Sequence, residues 1–261
     1  IHNSYIAAGA DIISTNTFSG NKFSQKDYNC QERVYEINFA GAQIARKAAD
    51  SASRRVWVAG SMGPSVKSLS MADDMNAPHL RSVSFKEMVS AYTEQVNALL
   101  DGGVDILLVE TVYDVLNCKA ALYSIEQVLK QRSLIKDGYW DIPVMVSATV
   151  NDKGGRLLQG SRLDALYYAI SQFPIVSFGL NCSFGAKELA PFIEQLGWVD
   201  CAVSIYPNAG LPNAMGKYDE QPEYTAECIR NLSGKGMINI AGGCCGTTPE
   251  HIKAVAEAVK G

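Results

Sequence analysis

Short apolar runs rich in β-branched residues recur along the chain, and longer stretches of helical period separate them. The runs at 11–15, 56–61, 106–110, 144–150, 175–180, 202–206 and 238–241 read as strands. Apolar positions three and four apart predict helices over 31–49, 84–100, 114–130, 162–171, 187–196, 223–232 and 249–259. Thr247 and Thr248 ahead of Pro249 mark the start of the last helix, because a hydroxyl caps it and proline presets φ. The strands are almost continuously apolar, as expected when both faces of a sheet are covered. Residues 1–8 read as the end of a helix that Gly9 stops.

Strict alternation of strand and helix, with no break in composition, predicts one parallel sheet. Seven such strands are one fewer than a closed (β/α)8 barrel has, and 261 residues is the size of one barrel. A helix ahead of the first strand predicts a TIM-type (β/α)8 barrel that lacks its first strand in this chain. The rival is an open doubly wound sheet, but Gly60-Ser-Met-Gly63 does not have the spacing of a dinucleotide fingerprint.

Composition narrows the picture further. Hydrophobic residues make up 47% and charged residues 19%, which supports a large core and no disorder. A net charge of −4 argues against nucleic-acid and anionic-membrane partners, both of which require a basic face. No apolar run approaches the roughly 18 residues of a membrane span. Seven cysteines, an odd number in a chain that can build its own core, read as reduced thiols of a cytoplasmic protein.

In a barrel the chemistry gathers where the strands end. Two of those ends carry cysteine, Asn181-Cys182-Ser183 and Gly242-Gly-Cys244-Cys245-Gly246. Counting the missing strand, they follow the sixth and eighth strands. Three convergent thiols fit a catalytic zinc, which takes three protein ligands and keeps a fourth position open. The alternative for any free cysteine is a small buried hydrophobe. That is the reading for Cys30, Cys118, Cys201 and Cys228, which fall in a loop, on helices or at a strand start. None of the three histidines, His2, His79 and His251, lies at a strand end, so the usual general base is missing. A metal that deprotonates a thiol removes the need for one. Glu110 ends an apolar strand, where it either receives an ammonium group or is a structural acid bonded to loop amides. Asn208 either reaches the metal's fourth position or forms an Asx turn. Asn16, Asn181 and Ser61, at other strand ends, are candidate substrate contacts.

The pair Gly-Leu-Asn181-Cys182 and Gly242-Gly-Cys-Cys-Gly-Thr-Thr-Pro249 resembles the two zinc-ligand motifs of homocysteine S-methyltransferases. The resemblance continues through Gly9–Phe18, Gly60–Pro64, Glu110-Thr-Val-Tyr-Asp114 and Tyr206–Asn213. At 69–73 and 207–219 the chain is most similar to the homocysteine-binding module of cobalamin-dependent methionine synthase. The resemblance implies that Cys182, Cys244 and Cys245 bind zinc and that Glu110 holds the homocysteine ammonium. It also implies that Asn208 occupies the metal while substrate is absent. The methyl donor would be methylcobalamin, bound by another domain. The partners would be the cobalamin- and folate-binding domains of a longer parent, of which residues 1–261 form the barrel. The family's acidic, Gly-rich loop on the first strand has no counterpart here. A stand-alone methyltransferase using S-methylmethionine or betaine, and a non-catalytic zinc or redox module, are the alternatives.

Overall fold

The computed structural model describes residues 1–260. In chain order the elements are α1 (His2–Ala7), β1 (Ile12–Ser14), α2 (Lys22–Lys26), α3 (Val34–Asp50), β2 (Trp57–Met62), α4 (Phe85–Asp101), β3 (Ile106–Val112), α5 (Val115–Gln131), β4 (Ile135–Lys136) and β5 (Tyr139–Trp140). They continue with β6 (Val144–Ala148), α6 (Leu163–Ile170), β7 (Ser177–Asn181), α7 (Ala186–Glu194), β8 (Ala202–Tyr206), α8 (Pro222–Gly234), β9 (Ile240–Ala241) and α9 (Pro249–Ala258). Seven strands pair in parallel in the order β1-β2-β3-β6-β7-β8-β9, which is the order of a TIM-type barrel with one strand missing. Among the described residues no helix is long and apolar enough to cross a membrane.

Alternation along each strand separates two cores. Ile13, Val58, Leu107, Val109, Val144, Val146, Phe178, Leu180, Val203 and Ile205 face outward and pack under the helices in one large cluster. Residues of the opposite parity, Ile12, Ala59, Ile106, Leu108, Met145, Tyr206 and Ile240, form a second cluster inside the sheet. Ile12 and Ile240 belong to the two edge strands, so their sharing a cluster shows that the sheet curls round on itself. Helices α1 and α9 meet across the open seam, where the Tyr5 hydroxyl donates to the Thr247 carbonyl at 2.8 Å. Fully buried side chains such as Phe178 and Leu107 stabilise the outer core by roughly 1.5–3 kcal/mol each.

Several boundaries differ from the sequence expectation, each for a local reason. The helix expected over 31–49 opens with a 3-10 turn, Gln31–Arg33, because Cys30 offers no side-chain cap and the tighter turn satisfies the first amides. Helix α2, capped by Asn21 on Ser24 N, is too short to show a period. The β4–β5 hairpin turns through Asp137 and Gly138, both with positive φ, which is the two-residue turn that Asp-Gly favours. Strand β9 shrinks to two residues because it has a neighbour on one side only.

One carboxylate ties the mouth of the barrel together. Asp114 is buried and caps α5, accepting from Leu116 N at 2.8 Å and Asn117 N at 3.3 Å. It also accepts from Ser70 N, from the Ser70 hydroxyl and from the Ser68 hydroxyl on the long loop after β2. Asn117 grips the same loop, through Leu69 N and the Lys67 carbonyl. Asp114→Ala therefore removes a cap and leaves buried loop donors unpaired. We expect it to lower the free energy of unfolding by about 2–4 kcal/mol, read from urea denaturation. A loss below about 0.5 kcal/mol would show that the loop does not depend on it.

Candidate metal and substrate site

The three rim cysteines come together. Their sulfurs all lie within 4.8 Å of one another, with Cys182 Sγ 3.9 Å from Cys245 Sγ and Cys244 Sγ 4.0 Å from Cys245 Sγ. The other four cysteines are not part of this group. Strand β8 brings the two loops together by pairing with β7 on one side and β9 on the other. The loop that follows it then bridges them: Asn208 N donates to the Phe184 carbonyl, Cys244 N to the Pro207 carbonyl and Ala209 N to the Cys245 carbonyl. Glycines flank the vicinal pair because nothing else fits. A Cβ on Gly243 would meet Thr247 Cγ2 at 2.2 Å, and one on Gly246 would meet Tyr218 Cβ at 2.3 Å. Beyond them, Thr248 caps α9 with His251, not Glu or Gln, completing the box. Thr248 N donates to Nδ1, which leaves Nε2 to donate to the Glu220 carbonyl.

The spacing suits zinc. Tetrahedral sulfurs at a Zn–S distance of about 2.3 Å stand about 3.8 Å apart. The thiols are already at that separation, and thiolates are the donors zinc prefers. They are not equivalent in acidity. Hydrogen bonding from Cys244, helped by Ser183, Cys245 and Asn208, holds the Cys182 thiol down to about 5 against the opposing effect of burial. The Cys244 thiol is pushed far up by the same bond and by burial, and Cys245 is raised by burial and the charge on Cys182.

Glu110 lies at the mouth of the barrel interior on β3. Ser61 donates to its Oε1 at 2.5 Å. Burial pushes its carboxyl up, opposed by the hydrogen bond from Ser61 and by the nearby Tyr206 hydroxyl. Ser61 is itself fixed from both sides, accepting from Thr17 at its carbonyl and donating from its amide to Thr15. Glu110 is therefore bonded to side chains within the barrel and not to loop amides.

Asn181 is completely buried with its carboxamide in use: Oδ1 accepts from Thr111 N at 3.0 Å, and Nδ2 donates to Thr111 Oγ1 at 2.7 Å. Asn208 is buried and its Oδ1 accepts from Cys245 N at 3.1 Å, so it stands against the thiols. Asn16 is exposed on the loop after β1, at the other edge of the sheet in pairing order.

Sequence reasoning missed three neighbours. Tyr206 points inward, and its buried hydroxyl has Glu110 and Ser147 as polar neighbours. Its parity with Ser204 on the same strand was the available signal. Tyr218 brings its hydroxyl beside Cys245 from the long loop after β8, where no periodicity marks it. Thr111 carried no signal at all, since φ of +57° is where a β-branched residue is least expected.

Comparison with known proteins agrees with this geometry. The sequence profile of the family described as homocysteine S-methyltransferase matches residues 1–259. The metallated form of the Escherichia coli homocysteine methyltransferase MmuM superposes with a TM-score of 0.72 at 22% identity, over 98% of this chain and 82% of that one. The oxidised form of the same protein gives 0.72 at 20% identity over the same shares. A 2-naphthoyl-CoA reductase in complex with 2-naphthoyl-CoA shares the fold more loosely, with a TM-score of 0.58 at 11% identity over 98% of this chain and 46% of that one. These identities speak to fold, whereas the profile spans nearly the whole sequence. The chain belongs to the homocysteine S-methyltransferase family.

Proposed function

We propose that Cys182, Cys244 and Cys245 hold a zinc ion on which the thiol of homocysteine is activated, and that Glu110 receives its ammonium. The observation that carries this reading is three sulfurs within 4.8 Å of one another, on the same barrel rim as an inward-facing carboxylate. When bound, the ion supplies the acidity that turns a thiol into a thiolate at neutral pH. The three cysteine ligands add negative charge around it, which keeps a fourth sulfur electron-rich and able to attack. Asn208, already against the thiols, is the side chain we assign to the fourth position in the absence of substrate. Ser61 keeps Glu110 turned inward. In the transfer the sulfur gives up its proton and forms the S–CH3 bond, while the pair that held the methyl stays with the donor.

We further propose methylcobalamin, presented by a separate domain of a longer parent in the cytoplasm, as that donor. The likeness of 69–73 and 207–219 to the homocysteine module of cobalamin-dependent methionine synthase supports it. A second reading is a stand-alone enzyme using S-methylmethionine or betaine. It is favoured by the solved homocysteine methyltransferase, 82% of whose length this chain matches. Methionine formation by the chain supplied with each donor in turn decides between them. Turnover with S-methylmethionine or betaine and none with methylcobalamin would overturn the first reading.

The reduced protein should bind one zinc per chain. Replacing any of Cys182, Cys244 or Cys245 by Ala should abolish that stoichiometry, and Cys118→Ala or Cys228→Ala should preserve it. Full zinc content in a Cys244→Ala, Cys245→Ala double variant would remove the assignment. Glu110→Gln should keep the zinc yet weaken homocysteine binding roughly 10- to 100-fold by calorimetry, the usual loss for a charge-assisted buried contact. Equal affinities would exclude the ammonium role.

The thiol's proton has nowhere to stay, because no histidine lies at a strand end and Glu110 faces the ammonium. A free thiol near pKa 8.5 is mostly protonated at pH 7, so binding should release about one proton. Homocysteine affinity should therefore rise about tenfold per pH unit from about pH 6.5 to 8 and level off above the thiol's pKa. Calorimetry in buffers of different ionisation enthalpy counts the proton. An affinity independent of pH across that range would mean that the thiol binds protonated.

A further inference from the structure

Strand β3 loses its regular pairing with β6 between Val109 and Val112, and Glu110 and Thr111 sit in that bulge. Thr111 holds φ at +57°, a conformation that a β-branched residue keeps only when its surroundings impose it. The imposing group is Asn181, which comes from β7, a strand beyond β3's own pairing partner. Its carboxamide takes the Thr111 amide on one side and gives a hydrogen bond to the Thr111 hydroxyl on the other. The same Nδ2 lies 3.9 Å from Cys244 Sγ, and the next residue along the chain is Cys182. Cys182 and Ser183 are also left-handed, with φ of 61° and 62°, and the Ser183 hydroxyl is tied to Thr149 at 2.7 Å. One buried side chain thus joins the residue after Glu110 to two of the three thiols.

We infer that Asn181 is a positioning residue: by clamping Thr111 beside Cys182 and Cys244 it sets the distance from Glu110 to the sulfur trio, and so selects homocysteine over cysteine. The inference rests on the reading that Glu110 holds the ammonium. Both amino acids carry an ammonium and a thiol, and they differ by one methylene in the reach between them. A site that grips both ends discriminates by length only if its two ends cannot drift, and a misplacement of about 1 Å is enough to erase the advantage. Without the clamp, Thr111 relaxes out of the left-handed region. Because the bulge is unpaired there, Glu110 moves with it. Asn181 itself is completely buried, with Oδ1 on the Thr111 amide and Nδ2 turned to Thr111 and Cys244, so it positions the site and does not touch substrate.

The test is calorimetric titration of the zinc-loaded chain with homocysteine and with cysteine. Asn181→Ala should lower homocysteine affinity roughly 10- to 100-fold and shrink the preference over cysteine about tenfold. Glycine adopts positive φ without penalty, so adding Thr111→Gly should restore at least tenfold of the homocysteine affinity relative to Asn181→Ala alone, with the Thr111→Gly single variant as baseline. A merely structural asparagine would not be rescued by a glycine two strands away. If Asn181→Ala does not fold, Thr111→Val, which deletes only the hydroxyl partner, should lower the affinity about 3- to 10-fold. An unchanged preference in Asn181→Ala, an absence of rescue, or wild-type binding by Thr111→Val where that variant decides, overturns the clamp. Glu110→Gln, titrated alongside, separates the two levels. If it loses affinity while the Asn181 variants do not, the clamp alone is wrong. If it binds as wild type, the ammonium reading fails and the clamp fails with it.

Discussion

Everything at this site depends on holding three sulfurs, which repel one another once they are thiolates, at van der Waals distance on loops that enter from two different strands. Two thiolates at about 4 Å would oppose each other strongly in a half-buried setting, so the deprotonated trio keeps this arrangement only if the backbone enforces it or a cation resides between them. The backbone does a large part of this. Strand β8 lies between the two cysteine strands, and three hydrogen bonds from the loop beyond it lock both cysteine loops at one height. The remaining repulsion is what a doubly charged ion relieves, which is how a metal becomes coupled to the stability of its own site.

The site is also where local regularity is given up. Thr111, Cys182 and Ser183 all hold left-handed backbone, and β3 breaks its pairing beside Glu110. The barrel interior beneath is built of small polar residues. Ser147, Ser177 and Ser204 face inward with buried hydroxyls that find no partner, and Tyr206 stands above them. Beside them Ala59, Ile106, Leu108 and Met145 make the rest of the interior apolar. Strain of this kind persists when the surrounding packing over-determines it. Here the outer core of Val, Leu and Phe side chains, sealed by the helices, supplies that packing.

The fold was legible in the sequence because both of its signals are periodic. Alternation of short apolar strands with helices of 3.6 period gave the sheet, its parallel sense and the incomplete barrel. The cysteine site was legible for a different reason: its three thiols fall at two strand ends, where a barrel gathers its chemistry, and the glycines around the vicinal pair answer a steric need, as Gly243 against Thr247 and Gly246 against Tyr218 make plain. The Asp-Gly hairpin at 137–138 was written in the chain and went unread, since two residues per strand leave no run to notice. The roles of the asparagines were not legible. Asn16, Asn181 and Asn208 are one residue type at three strand ends, yet one is exposed, one is committed to Thr111 and one stands against the thiols. Which of these a rim amide becomes is decided by contacts that cross strands far apart in sequence, and no local pattern records such contacts.

The most direct measurement is zinc-edge X-ray absorption on the reduced, zinc-loaded chain before and after homocysteine is added. A metal held by Cys182, Cys244 and Cys245 with one exchangeable position gives three sulfurs and one oxygen or nitrogen at rest, and four sulfurs with substrate bound. A sulfur count that stays at three when homocysteine is bound, or that begins below three, would contradict the activation of a thiol at this metal.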